Sequence, residues 1–143
     1  MIAQTLTTSF KVQLLTATHD FTPSTGDTFK MALYLPTADI GASTTAYTTT
    51  GEITGTGYTA GGITLTTVTP TSSGTTAYVS FSTATFTGVV SSSIAGALIY
   101  NSSKSNKSVA VLDFGSTKTS TVANPLVITF PTASSTTAII RLP

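Results

Sequence analysis

The single histidine of this sequence, His19, is followed directly by Asp20, two residue types that can act as a general base and its orienting carboxylate. Neighbouring residues rarely face each other, and a nucleophilic mechanism also needs a hydroxyl or thiol placed beside the ring. The chain has no cysteine, and no serine is set apart from the many others by its surroundings. The sequence therefore predicts no catalytic residue, and we expect the protein not to be an enzyme.

Metal and cofactor sites lack the spacing that they need. The five acidic residues are scattered, with no pair two residues apart as a calcium loop requires. Asp27, which follows Gly26, is expected to anchor its own turn. The glycine-rich segment Gly55 to Gly62 has neither the lysine nor the spacing of a phosphate-binding loop, so we expect its glycines to bend the backbone while Tyr58 anchors the segment. The sequence predicts no metal and no cofactor.

Five tyrosines lie among Thr, Ser, Asn and Gly residues, a combination that occurs on sugar-binding surfaces and antibody combining sites. Aromatic faces supply contact area there, and small polar side chains supply hydrogen bonds. Packing at the ends of a barrel or at subunit contacts is the alternative. The tyrosines are Tyr34, Tyr47, Tyr58, Tyr78 and Tyr100.

The composition excludes several classes of protein. Only 8% of the 143 residues are charged and the net charge is +1, so no basic surface for nucleic acid is expected. No run approaches the ~18 apolar residues of a membrane span, and the first residues lack the pattern of a signal peptide. A weakly charged surface favours association, so we expect a homo-oligomer.

The elements that must position these residues are mainly strands, because threonine, which is abundant, favours sheet. The N-terminal segment, residues 1–18, is predicted to contain a short helix over Thr7 to Thr18. Phe10 and Leu14 lie on one stripe of this helix, and Thr7 or Thr8 caps its first turn. The alternative is an extended arm that docks on a neighbouring subunit.

Alternation of apolar residues predicts a strand from Thr28 to Leu35, with Phe29, Met31, Leu33 and Leu35 on one face. A long Thr, Gly and Ala stretch, Thr37 to Gly62, is expected to be an ordered excursion that covers an edge or reaches a partner. Seven more strands follow: Ile63 to Thr69, Thr76 to Phe81, Thr85 to Val90, Ile94 to Tyr100, Val109 to Phe114, Leu126 to Phe130 and Ala138 to Leu142. This pattern predicts an all-β chain, a single-domain antiparallel β-sandwich or jelly-roll-like barrel over residues 1–143.

Several sequence blocks carry a resemblance. They are SFKVQLLTATHDFTPSTGDTFKMALY (9–34), GTGYTAGG (55–62), GALIYN (96–101), SVAVLDFG (108–115) and AIIRL (138–142). With these blocks the chain resembles a family of small β-rich virion structural proteins of tailed bacteriophages. The resemblance implies a virion component that is made in the cytoplasm of a bacterial host and contacts the major capsid protein or other virion proteins.

The function expected from these observations is that of a capsid decoration or cement protein, a trimer that bridges major capsid subunits. The alternative is a tail, collar or fibre component that binds a host glycan. Neither function involves nucleic acid or a membrane. The candidate partner contacts are Phe10, Leu14, Tyr34, Tyr47 and Tyr58.

Overall fold

The computed structural model describes residues 1–143 and is mostly β, with antiparallel sheets and one short helix, as the sequence predicts. No helix is long and apolar enough to cross a membrane. The elements are β1 (Thr5–Leu6), α1 (Thr8–Leu15), β2 (Phe29–Tyr34), β3 (Ile63–Thr64), β4 (Thr71–Ser73), β5 (Thr76–Val79), β6 (Ala84–Phe86), β7 (Ser91–Asn101), β8 (Lys107–Ser120), β9 (Leu126–Ile128) and β10 (Ile140–Leu142).

The largest sheet has five antiparallel strands in the order β1-β8-β7-β2-β3. Its centre is the long hairpin of β7 and β8, whose tip is the polar segment between Asn101 and Lys107. Residues Ala97 to Tyr100 of β7 are all buried, since β7 pairs on both sides and both faces of the sheet are covered. Burial on both faces explains why β7 and β8 contain continuous apolar runs rather than alternating residues.

The two faces of this sheet carry different side chains, as the alternation in β2 predicts. Phe29, Met31 and Leu33 belong to a core cluster of 19 buried residues. Ala32 and Tyr34 point to the other face, into a cluster of eight buried residues under the stretch that follows β2. The strand is therefore buried on both sides, and each face has its own cover.

Two smaller sheets, β10-β5-β4 and β6-β9, supply further residues to the 19-residue core, among them Val79, Phe86 and Ile140. Several strands are shorter than predicted. The segment after β3 shows the reason, because Leu65 donates its N–H to Phe29 in the large sheet, whereas Val68 donates to Ser80 beside β5. A chain that crosses between sheets cannot keep a ladder with either one.

Helix α1 begins after Thr7, whose side-chain oxygen accepts a hydrogen bond from the Phe10 N–H at 3.4 Å. It ends at Leu15, and Ala17 takes a positive φ of 53°, a left-handed conformation typical of helix ends. The predicted helix is present over a shorter range. In this chain the N-terminal segment packs on its own β8, with Thr5 paired with Val111 and Leu6 with Ala110.

Candidate functional site

An apolar groove lies between helix α1 and the sheet β10-β5-β4, with a cavity volume of about 150 Å³. No charged residue lines the groove, and Leu14 is the residue of helix α1 that forms its wall. The lining residues are Leu14, Phe21, Pro70, Thr71, Ala77, Tyr78, Val79, Ile140 and Leu142. The groove unites Leu14, a predicted partner contact, with residues that lie more than fifty positions away in the chain.

The helix beside this groove exposes apolar side chains. Val12 is 57% exposed and Leu15 is 89% exposed, while Leu142 on the opposite wall is 53% exposed. Phe10 and Leu14 lie on one stripe of helix α1 and pack towards the core, which leaves Val12 and Leu15 facing outward. We call the groove together with Leu15, the neighbour of Leu14, the apolar face. Exposed apolar groups that lie together are typical of binding surfaces.

Phe10 and Tyr34, two of the predicted partner contacts, have no exposed surface in this chain. The Phe10 ring lies against the ring of Phe21, with centroids 6.1 Å apart in an edge-to-face arrangement. Tyr34 lies under the stretch that follows β2 and donates its hydroxyl to the carbonyl of Thr48. Both side chains therefore serve the interior of the chain.

Tyr47 and Tyr58, the other two candidates, converge on the carboxylate of Glu52, which is 7% exposed. The hydroxyl of Tyr47 donates to Oε2 at 2.7 Å, and the hydroxyl of Tyr58 donates to Oε1 at 2.6 Å. The N–H of Gly61 also donates to Oε1, at 2.7 Å. Hydrogen bonds of this kind compensate a buried carboxylate for lost water.

This Glu52 cluster fastens the excursion that follows β2. Tyr58 accepts a hydrogen bond from the Leu33 N–H at 3.0 Å, and Tyr100 of β7 donates to the carbonyl of Gly61 at 2.7 Å. Gly62 has a φ of 72°, and a Cβ there would collide with the Met31 carbonyl oxygen. Only glycine allows this approach to β2.

Burial raises the pKa of the phenols in and beside the cluster. For Tyr47 and Tyr58, desolvation is the largest cause and the hydrogen bond to Glu52 is the next, because a phenolate cannot donate to a carboxylate. For Tyr34, desolvation comes first and the negative charge of Glu52 second. These hydroxyls stay protonated and engaged inside the chain. A host glycan as ligand stays a prediction.

Glu52 is the residue that sequence reasoning missed as the centre of this cluster. Its signal was a lone acid in an uncharged stretch, flanked by Tyr47 and Tyr58. A buried carboxylate needs several donors, and Tyr47 and Tyr58 are the two tyrosines nearest to it along the chain.

His19 forms a second polar cluster, and its partner is not Asp20. Asn101, fully buried, donates from Nδ2 to His19 Nδ1 at 2.9 Å and to Asp27 Oδ2 at 2.7 Å. Asp20 instead accepts from the Thr22 N–H at 2.9 Å, while Asp27 Oδ2 accepts from the Asp20 N–H at 2.9 Å. Asp27 thus closes its own loop, as expected.

No group of three His, Cys, Asp or Glu side chains lies together as a metal site would require. Asp113 serves a local turn, where its Oδ1 accepts a hydrogen bond from the Gly115 N–H at 2.8 Å.

The chain was compared with protein families, with curated proteins and with solved structures, and none of them matched it. The family resemblance and the phage virion therefore stay predictions.

Proposed function

We propose that this protein is a repeating structural subunit of a tailed-bacteriophage particle, a capsid decoration or cement protein. The observation that carries the proposal is the apolar face, where Leu14, Leu15 and Leu142 leave uncharged surface open to a partner. The polar residues within the chain, by contrast, are occupied by each other, as in the Glu52 cluster. Contact with other chains is the function that this arrangement supports best.

The occupant of the apolar face is a second copy of the same chain. A face without charged residues can meet its own copy without bringing like charges together. Burial of exposed leucines such as Leu15 then supplies the free energy of association. A closed trimer forms when the apolar face of each copy contacts a different surface of the next copy, and we expect a trimer of this kind.

The finer architecture belongs to the same proposal. We infer that the five-stranded sheet packs on the two smaller sheets as a β-sandwich, a form common among structural proteins. The support is the core cluster, which joins Leu33 of the large sheet to Val79 and Phe86 of the small ones.

Sedimentation equilibrium tests the assembly. The wild type is expected to sediment as an oligomer, and Leu15→Asp as a monomer with unchanged circular dichroism. The control is Val122→Asp, since Val122 is also exposed, at 72%, but lies between β8 and β9 and is not part of the apolar face. A monomeric wild type, or equal effects of the two substitutions, would refute the apolar face as the contact between copies.

Cementing is tested on particles assembled without this protein. They are expected to form but to lose DNA on heating at a lower temperature than complete particles. Equal heat resistance of the two particles would contradict a cement function. The alternative is that the protein is a component of the tail, collar or fibre, and a particle would then contain fewer copies of it than of a capsid decoration protein.

A further inference from the structure

We infer that His19 is a proton-sensitive latch, which holds the C-terminal end of helix α1 on the sheet when neutral and releases it when protonated. The inference is independent of the apolar face, because it concerns contacts within one chain. It rests on the hydrogen bonds at the two ring nitrogens and on the packing of the ring.

The hydrogen bonds of Asn101 fix which nitrogen of His19 carries the proton. The Asn101 Oδ1 accepts from the Ser103 N–H at 3.0 Å, so the other end of the amide is the NH₂ group. That group donates to Asp27 and to His19 Nδ1, which must be unprotonated. The proton is then on Nε2, 2.7 Å from the acceptor Gln13 Oε1 of helix α1.

A second proton does not fit this arrangement. On Nδ1 it would point at the Asn101 NH₂ group, so two donors would face each other. If the Asn101 amide turned over, its Oδ1 would lie against the carboxylate of Asp27, so two acceptors would meet. Its NH₂ group would then lie against the Ser103 N–H, so two donors would meet. Because Asn101 is fully buried, no water can replace the lost partner without movement of the ring.

The charged groups around the ring lie on the side away from the helix. Asp27 favours the imidazolium, whereas Lys107 and Lys104 oppose it, and Lys104 also forms an ion pair with Asp27 at 3.6 Å. Helix α1 presents the neutral amide of Gln13. Desolvation of the ring is the largest influence and lowers the pKa of His19.

The ring also holds helix α1 through packing. Its centroid lies 5.1 Å from that of Phe10 and 6.4 Å from that of Phe29 on β2. When the ring leaves this position, the helix loses the bond at Gln13 and the contact on Phe10 together. The end of the helix that borders the groove is therefore the part that acid loosens.

The direction of the pH effect follows from the lowered pKa. The released ring binds a proton at its ordinary value of 6.5, above the pKa of the latched ring. The latch is therefore at full strength above that value and weakens as the pH falls below it. The opening constant rises at most about 30-fold between neutral pH and pH 5.0, the limit set by an unlatched pKa of 6.5.

The test combines two NMR measurements on the full chain, in which His19 is the only histidine. The Cε1 chemical shift of His19 is expected to titrate with a midpoint below 6.5. Hydrogen exchange at about pH 7.5 and pH 5.0, corrected for intrinsic rates, is expected to show protection of Lys11 to Leu15 falling by up to about 30-fold relative to β7.

His19→Gln is the matched control, because an amide can bond to Gln13 and Asn101 but does not titrate. It is expected to give the same relative protection at both pH values. Gln13→Glu, at the helix surface, should raise the midpoint, since a carboxylate favours the imidazolium. A wild-type midpoint at or above 6.5, equal protection at both pH values, or an unchanged pH effect in His19→Gln would overturn the inference.

Discussion

The two faces of the five-stranded sheet are built by different chemistry. On the face towards helix α1, the rings of Phe21 and Phe29 stack 4.3 Å apart and Phe81 lies 5.7 Å from Phe29. On the opposite face, the buried carboxylate of Glu52 gathers hydroxyl groups around it. The first face is stabilised by burial of apolar area, which requires no particular orientation of the groups. The second is stabilised by hydrogen bonds, which require defined distances and angles.

This difference explains how the chain uses its polar residues. A loop that must lie on a sheet without a strand of its own needs contacts that fix its position, and the Glu52 cluster supplies them. Packing of Phe29 supplies more free energy per residue but fixes the position of its neighbours less narrowly. The predictions below separate these two contributions.

The largest effect is expected for Phe29→Ala, on the face of the five-stranded sheet towards helix α1. Phe29 has no exposed surface, so the substitution leaves a cavity between Phe21 and Phe81 and should lower the free energy of unfolding by about 3–5 kcal/mol. Urea denaturation measures it, with Val122→Ala as the exposed control. A loss below about 1 kcal/mol would show that this face is not the main source of stability.

A smaller effect is expected for Glu52→Ala on the polar face, because the hydroxyls of Tyr47 and Tyr58 lose their acceptor. Each buried group without a partner costs free energy, but half-buried Tyr47 can bond to water, so we expect a loss of about 2–3 kcal/mol. Glu52→Gln keeps one acceptor oxygen and should lose less. Equal losses for the two variants in urea would contradict this account, because the acceptor oxygen that glutamine retains would then contribute nothing.

The hydroxyl of Thr7 makes a polar contact at the start of helix α1, on the face of the sheet towards this helix. It lies 2.9 Å from the Ser108 hydroxyl, and both residues are fully buried. Thr7→Ala should lower the free energy of unfolding by about 1 kcal/mol, the usual value of a helix cap. Ser9→Ala, whose nearest hydroxyl contacts are longer, is the control in thermal unfolding. A larger effect of Ser9→Ala would show that the cap is not the relevant contact.

The smallest effect is expected from alkaline pH. The pKa values of Tyr34 and Tyr58 are raised in the folded chain, so these phenols ionise first in the unfolded chain, at their ordinary value of 10.0. Their stability contribution is complete below that pH and declines above it, by at most about 1 kcal/mol at pH 10 and less after solvent screening.

Urea midpoints between about pH 8 and pH 10.5 measure this decline, and Tyr34→Phe should make it shallower because one ionisable group is gone. Stability that rises over this range would contradict the raised pKa values.

The side of the five-stranded sheet that carries Phe29, Met31 and Leu33 could be predicted from sequence, and the side that carries the Glu52 cluster could not. Alternation at Phe29, Met31 and Leu33 is a local signal, which identifies the strand and its buried side. Tyr58, by contrast, reaches the Leu33 N–H of β2 because the loop turns back through glycines such as Gly62, and this contact over 25 positions follows no period.

The candidate site divides in the same way. Leu14 could be named from the helical stripe, but its neighbours in the groove, Tyr78 and Leu142, come from strands far along the chain. Strand β4 could not be predicted either, since its residues Thr71 to Ser73 are all polar and exposed. Its position depends on pairing with β5.

The proposal that this chain is a repeating structural subunit is tested most directly by counting its copies in purified particles, using quantitative gels calibrated with the pure protein. We predict on the order of hundreds of copies per particle, in a constant ratio to the major capsid protein, as symmetric binding over a capsid requires. A count of a few dozen or fewer would contradict the account and place the chain in the tail, collar or fibre.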